Sequence, residues 1–143
     1  MKKLSVSMAA ALALGVFVAP AAQATCDPVY DPGSGCPGKF VLRPDTPPGS
    51  EAYVEGQFAA ELSVALRKPS YVKDTANDGL DAHLWVLYGQ WNGPQYKEPI
   101  AVASGLGAKT DIEWTSPDGV PVTWFQVRVC LGPGEVTCSR WVG

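Results

Sequence analysis

The chain has 143 residues, 46% of them hydrophobic and 17% charged. Lys2 and Lys3 precede an apolar run from Leu4 to Ala19, followed by Pro20 and the small-residue signature Ala22-Gln23-Ala24, so residues 1–24 read as a cleaved secretory signal peptide. Removing the first 24 of 143 residues leaves 119, with nine Lys and Arg against fourteen Asp and Glu, and this charge of −5 offers nucleic acid no basic footprint.

The expected product is secreted. The apolar run of the signal is too short for a membrane span, and no later stretch reaches roughly 18 uninterrupted apolar residues, so no membrane insertion is expected. Cys26 follows the cleavage region closely, but Gln23-Ala24-Thr25 lacks the apolar and small-residue pattern of a lipidation motif. A mature chain of this length is one domain, expected to be a monomer. His83 is the single histidine, which leaves no His-rich metal site or His-pair chemistry, and no cofactor is implied. Four cysteines in an exported chain imply two disulfides.

Residues 25–50 form a Pro/Gly-rich segment with turn signals at Asp27-Pro28, Asp31-Pro32-Gly33, Cys36-Pro37-Gly38 and Pro47-Pro48-Gly49. A Cys26–Cys36 bond would close it, contributing about 2–3 kcal/mol by loop-closure reasoning. Within it, Lys39 to Arg43 reads as a short first strand. Residues 51–143 form the main body of the same domain. From Gln57 to Arg67 the pattern fits period two, with Phe58, Ala60, Leu62, Val64 and Leu66 on one side. Phe58, Leu62 and Leu66 also make a helical stripe; Val64 falls off it, and strand is the preferred reading.

The segment Asp74 to Asp81 superficially resembles a helix-loop-helix calcium loop. With Gly79 aligned on the invariant glycine, Ala76 and Trp85 fall on ligand positions, so the motif fails. Asp and Asn there are read as turn residues bonding their own backbone. Ala82 to Trp91 is aromatic and β-prone and ends in Asn92-Gly93, a hairpin signal, with a return strand from Gln95 to Ala103. Pro99 in that return strand indicates a sheet edge. Thr110 to Thr115, Val122 to Leu131 and Glu135 to Val142 complete about seven strands. The expected fold is all-β, an antiparallel sandwich.

Phe125-Gln126-Val127-Arg128-Val129, a Gly/Pro turn and Cys138-Ser139-Arg140-Trp141 together resemble the last two strands of fibronectin type III domains, with Phe125 where that family has tyrosine. The resemblance covers fewer than twenty residues and implies an immunoglobulin-like sandwich, with nothing about function.

Cys130 and Cys138 are symmetric about Gly134, so a regular hairpin sets them directly opposite, as a cross-strand disulfide requires. Phe125, Val127, Val129, Leu131 and Trp141 then form the core side. Trp124, Gln126, Arg128 and Arg140 lie on the other side, with Arg128 facing Arg140. Opposed like charges are destabilising unless relieved: by a carboxylate from a neighbouring loop, by two long side chains splaying into water, or by an anionic ligand or acidic partner. The same symmetry about Asn92-Gly93 puts Trp85, Leu87, Gly89 and Trp91 on the core side with Tyr96 and Ile100. Val86, Tyr88, Lys97 and Pro99 fall outside. Trp91 and Tyr96 read as core-edge cover over Gly89.

The candidate binding residues are therefore Tyr88, Trp124, Arg128 and Arg140, for an extracellular protein or polysaccharide. A rival reading is an inhibitor of an extracellular hydrolase that presents the disulfide-braced 131–137 loop through Leu131, Pro133 and Glu135. No catalytic residues are assigned, since the sequence carries neither a nucleophile-elbow nor a phosphate-loop motif.

Overall fold

The computed structural model describes residues 38–59, 62–135 and 137–143. The expected Cys26–Cys36 bond and signal peptide fall outside them. The described residues contain no helix, and their nine strands are β1 (Gly38–Leu42), β2 (Ser50–Ala59), β3 (Ser63–Asp74), β4 (Ala82–Gly89), β5 (Gln95–Ala103), β6 (Lys109–Asp111), β7 (Trp114–Thr115), β8 (Trp124–Leu131) and β9 (Thr137–Cys138). Two antiparallel sheets form two layers. The first runs β1-β2-β3-β6, with β7 also paired to β3; the second runs β5-β4-β8-β9.

The core between the layers is aliphatic, built mainly from alternate residues of the central strands. Val54, Val64, Leu66 and Val72 from the first sheet meet Leu84, Val86, Val127 and Val129 from the second, and Ile112 and Val122 close the ends. Burying each such side chain contributes about 1.5–3 kcal/mol. At the outer edge of the first sheet, Phe40 from β1 lies over Gly56, where a Cβ would meet the Phe40 ring at 2.6 Å. Glycine at 56 therefore lets the added strand dock.

Nine strands replace the expected seven because some segments divide. Gln57 to Arg67 is not one strand: the chain reverses within it, so that Ala59 pairs with Ser63 and Phe58 with Val64. Leu62 supplies the left-handed conformation, φ 55°, where glycine or asparagine is the usual turn residue. Phe58, Val64 and Leu66 still share a face, because a tight reversal keeps cross-strand partners on one side of a sheet. β3 also extends beyond Arg67 through a bulge opposite Val54. Buried Ser70 plugs the bulge, its Oγ accepting from the Glu55 N–H at 2.8 Å while its one O–H is shared between the Arg67 and Glu55 carbonyls at 2.6 and 2.9 Å.

In the second sheet, β8 and β9 pair as hairpin symmetry requires, Cys130 with Cys138 and Leu131 with Thr137, and Cys130–Cys138 is a disulfide. The register slips by one beyond it, since Val127 pairs with Val142. Arg128 and Arg140 are thus not opposed, and Arg140 turns out to solvent. The β4–β5 hairpin also differs by one residue from the symmetric reading. Tyr88 pairs with Tyr96 and Trp85 with Pro99; a bulge then shifts the register, and Leu84 pairs with Ala101. One residue of slip exchanges the faces of a strand.

Candidate functional site

The outer face of the second sheet brings most of the tryptophans together. On β4, Ala82, Leu84, Val86 and Tyr88 point inward, leaving His83, Trp85 and Leu87 outside. On β8, Phe125, Val127, Val129 and Leu131 point inward as expected, leaving Trp124, Gln126 and Arg128 outside. The strands pair Gly89 with Trp124, Leu87 with Gln126 and Trp85 with Arg128. Lys97 of β5 lies beyond Leu87 and Pro99 beyond Trp85. Trp141 completes the face by stacking on the Arg128 guanidinium, 4.3 Å from ring centroid to Cζ. This placement corrects its assignment to the core.

Tyr88 is a second correction, because it does not share a face with Trp124 and Arg128. Its ring is 2% exposed in the core, edge-on to Trp114 at 5.3 Å and stacked on Tyr96 at 5.5 Å. Its hydroxyl donates to Glu98 at 3.0 Å. Burial first, and the Glu98 carboxylate second, push the phenol up to about 12. Val86 is likewise in the core, and Trp85 and Leu87 are outside it. Of the four candidate binding residues, Trp124 and Arg128 share the face, whereas Tyr88 is inside and Arg140 is exposed beyond the slipped register.

The charge expected to neutralise Arg128 is a loop carboxylate. Glu135, in the β8–β9 connection, reaches back over the sheet and accepts from Arg128 Nη2. The same carboxylate lies 2.9 and 3.1 Å from Lys97 Nζ, which itself sits 5.9 Å from the Trp85 ring centroid. Hydrogen bonding from Lys97 holds Glu135 below the usual carboxylate range, aided by the charges of Arg128 and Lys97 against an opposing burial effect. Its backbone adopts a left-handed φ of 48°, which directs the side chain inward at a conformational cost on the order of 1 kcal/mol.

This arrangement separates the residues of the rival loop reading. Leu131 is in the core and Glu135 is tied to the sheet, so only Pro133 of that trio projects freely into solvent. Three buried nitrogen atoms have no hydrogen-bond partner among the described residues: His83 Nε2, Trp85 Nε1 and Arg128 Nε. All three belong to this outer face. Buried polar groups are nearly always paired, so their concentration on one side of one sheet distinguishes that side.

At the hairpin end, Trp91 is 68% exposed, with its ring centroid 6.5 Å from that of Trp124 and tilted by 44°. It does not pack with Tyr96 over Gly89, and Gly89 has no space for cover: a Cβ there would meet the Pro94 carbonyl oxygen at 2.3 Å. Trp85, Trp91, Trp124 and Trp141, four of the chain's five tryptophans, thus lie on or at the end of this face. Trp85, Trp91, Trp141 and Lys97 were absent from the sequence-derived site. The hairpin signal placed Trp91 at a tip, and Lys97 already read as outward; the face of Trp85 depended on the register set at the hairpin turn.

Elsewhere, the acidic segment after β3 is used for turns. Asp74 is 1% exposed; its Oδ1 accepts from the Ala76 N–H at 3.0 Å and its Oδ2 from the Gly105 N–H at 2.9 Å. Asp78 Oδ1 accepts from the Leu80 N–H at 2.9 Å. No group of three or more His, Cys, Asp and Glu side chains suited to a metal occurs among the described residues. A depression of about 470 Å³ on the first sheet, lined by Arg67, Lys68, Glu113 and Trp114 among others, contains no residue of the tryptophan face. Comparison with known proteins finds no matching family model, no matching curated protein and no matching solved structure.

Proposed function

We propose that this chain is a secreted, non-enzymatic binding module that engages an extracellular polysaccharide or protein through the outer face of its second sheet. The observation that carries the reading is the segregation of tryptophan. The interior between the sheets is filled mainly by valine and leucine, while four of five indoles gather on an outer face and Trp91 stands largely in solvent. Exposed aromatic surface beside guanidinium and amide groups is the composition of interface hot spots. Trp124 and Arg128 stand four residues apart on one strand, about 13 Å at the rise of a strand, so the face suits an extended ligand.

The finer fold reading supports a binding role without specifying it. With β1 set aside as an added edge strand, the division into β2-β3-β6/β7 and β5-β4-β8-β9 supports an immunoglobulin-like reading of the sandwich. Export is supported by the Lys2-Lys3 start, the apolar run and Ala22-Gln23-Ala24, and by the Cys130–Cys138 bond, which suits an oxidising compartment. The test is retention of the mature chain on immobilised polysaccharides and extracellular protein fractions, comparing wild type with Trp91→Ala and Trp124→Ala. Loss of retention in both variants, with unchanged unfolding midpoints, is the expected result; equal retention by all three chains refutes the reading.

A further inference from the structure

The tryptophan face contains a bracket for a carboxylate that is filled by the protein's own side chain. Lys97 and Arg128 come from the two strands flanking β4, and both bind the Glu135 carboxylate. The bracket lies over Trp85, and Trp141 backs the guanidinium. Glu135 comes from a connection and not from a strand, so the bracket can be vacated without breaking a sheet ladder. With Glu135 withdrawn, two cations would face a ligand that must supply acceptor oxygens, and Arg128 Nε and Trp85 Nε1, without partners among the described residues, belong to the same face.

Resting on the binding face proposed above, we infer that Glu135 is an internal occupant of a ligand subsite, and that the ligand is a polysaccharide bearing carboxylate groups whose uronate displaces it. Indole surfaces at Trp91 and Trp124 accept the sugar rings farther along the face. Lys97 and Arg128 then select for acidic residues of the polymer. Charge complementarity supports the choice: the bracket already accommodates one carboxylate with both cations engaged, and a neutral sugar could not replace that carboxylate without leaving them uncompensated. The disulfide at the base of the connection limits how far Glu135 can withdraw, so exchange is local.

The experiment uses the mature chain and three immobilised probes: polygalacturonate, dextran and poly-glutamate. Glu135→Gln removes the competing charge and keeps the side-chain shape. Its expected effect is a gain of about tenfold in affinity for polygalacturonate, equivalent to about 1.4 kcal/mol, with dextran unchanged. Lys97→Met leaves the connection intact and is expected to lower polygalacturonate affinity about tenfold, again without effect on dextran. No gain with Glu135→Gln, or equal changes on dextran, overturns the inference. Stronger retention on poly-glutamate than on polygalacturonate overturns the assignment to a polysaccharide. If Trp91→Ala abolishes retention while Glu135→Gln changes nothing, the inference fails and the binding face stands; if neither wild type nor Glu135→Gln is retained by any probe, both fail.

Discussion

The two outer faces of this protein are both aromatic and both charged, yet their side chains are used differently. On the first sheet, Tyr53 and Tyr71 face each other across β2 and β3 and stack at 6.2 Å. Arg43 lies over Tyr53 at 5.7 Å and Lys109 over Tyr71 at 4.3 Å. The phenol of Tyr53 donates to Glu55 at 3.1 Å, and that of Tyr71 donates to Glu51. Hydrogen bonding and the nearby carboxylates raise both phenols along with burial, which leads at Tyr53, whereas the hydrogen bond leads at Tyr71. Every phenol of this ladder has a partner on a neighbouring position, and the face is complete with water alone.

On the second sheet, indoles replace phenols, Trp91 is largely uncovered, and three buried nitrogen atoms lack partners among the described residues. Its one strong charge cluster is closed by a side chain reaching in from a connection. The difference teaches that aromatic content alone does not mark a site. A face whose polar atoms are satisfied by neighbours within the same sheet is a solvated surface. A face that borrows a group from elsewhere and still leaves donors unpaired has room for a ligand in its chemistry.

The comparison can be broken first by showing that the aromatic residues have been divided wrongly between interior and face. Tyr88→Ala is expected to lower stability by about 3–5 kcal/mol, as for a large core side chain, while Trp91→Ala changes it by no more than about 0.5 kcal/mol. Urea unfolding of both variants decides this; similar losses would put the two side chains in the same environment. The next largest contrast is in binding. Trp124→Ala should reduce affinity for a retained ligand about thirtyfold, the scale of a hot-spot loss near 2 kcal/mol, and Tyr71→Ala on the opposite face should leave it unchanged.

The arginines provide a third comparison. Arg128→Ala removes a half-buried guanidinium bonded to Glu135 and stacked on Trp141, and is expected to cost about 1.5–3 kcal/mol. Arg43→Ala on the first sheet should cost less than about 0.5 kcal/mol, as expected at an exposed surface position. Equal costs in thermal or urea unfolding would erase the distinction between the faces.

The smallest effect is acid sensitivity. Because the folded state holds the Glu135 carboxylate below its ordinary range, its stabilising contribution is fully present above the unfolded carboxylate pKa and is lost as pH falls through the depressed folded value. Unfolding midpoints of wild type and Glu135→Gln should therefore converge on acidification from neutrality, and a gap independent of pH would remove the ion pair from the account.

Residues 122–142 show how far patterning reaches. Alternation along Phe125, Val127, Val129 and Leu131 has one apolar side, so the core face is legible, and the symmetry about Gly134 correctly sets Cys130 against Cys138. Among the described residues, the absence of helix and the antiparallel pairing followed from period-two segments separated by turn residues. The reversal after Ala59 was not legible, because Leu62 carries no turn signature and both arms of the hairpin continue one apolar alternation.

β4 marks the limit of reading the chain alone. His83, Trp85 and Leu87 alternate with Leu84, Val86 and Tyr88, so either set could line a core, and hairpin symmetry was the sole arbiter. The turn itself offset the pairing by one, with Gly89 opposite Gln95 and Tyr88 opposite Tyr96, and this exchanged the faces as far as Trp85, before the bulge is reached. Pairing with β8, whose own inward side was unambiguous, is consistent with only one choice: Val86 opposite Val127 inside, and Trp85 opposite Arg128 outside. By itself the sequence determined that the described chain folds as antiparallel strands and which side of β8 is buried. Only the tertiary structure decided which side of β4 joins it and that Glu135 neutralises Arg128, because a strand apolar on both sides takes its orientation from its neighbours, and a charge in a connection finds its partner only after the chain has closed.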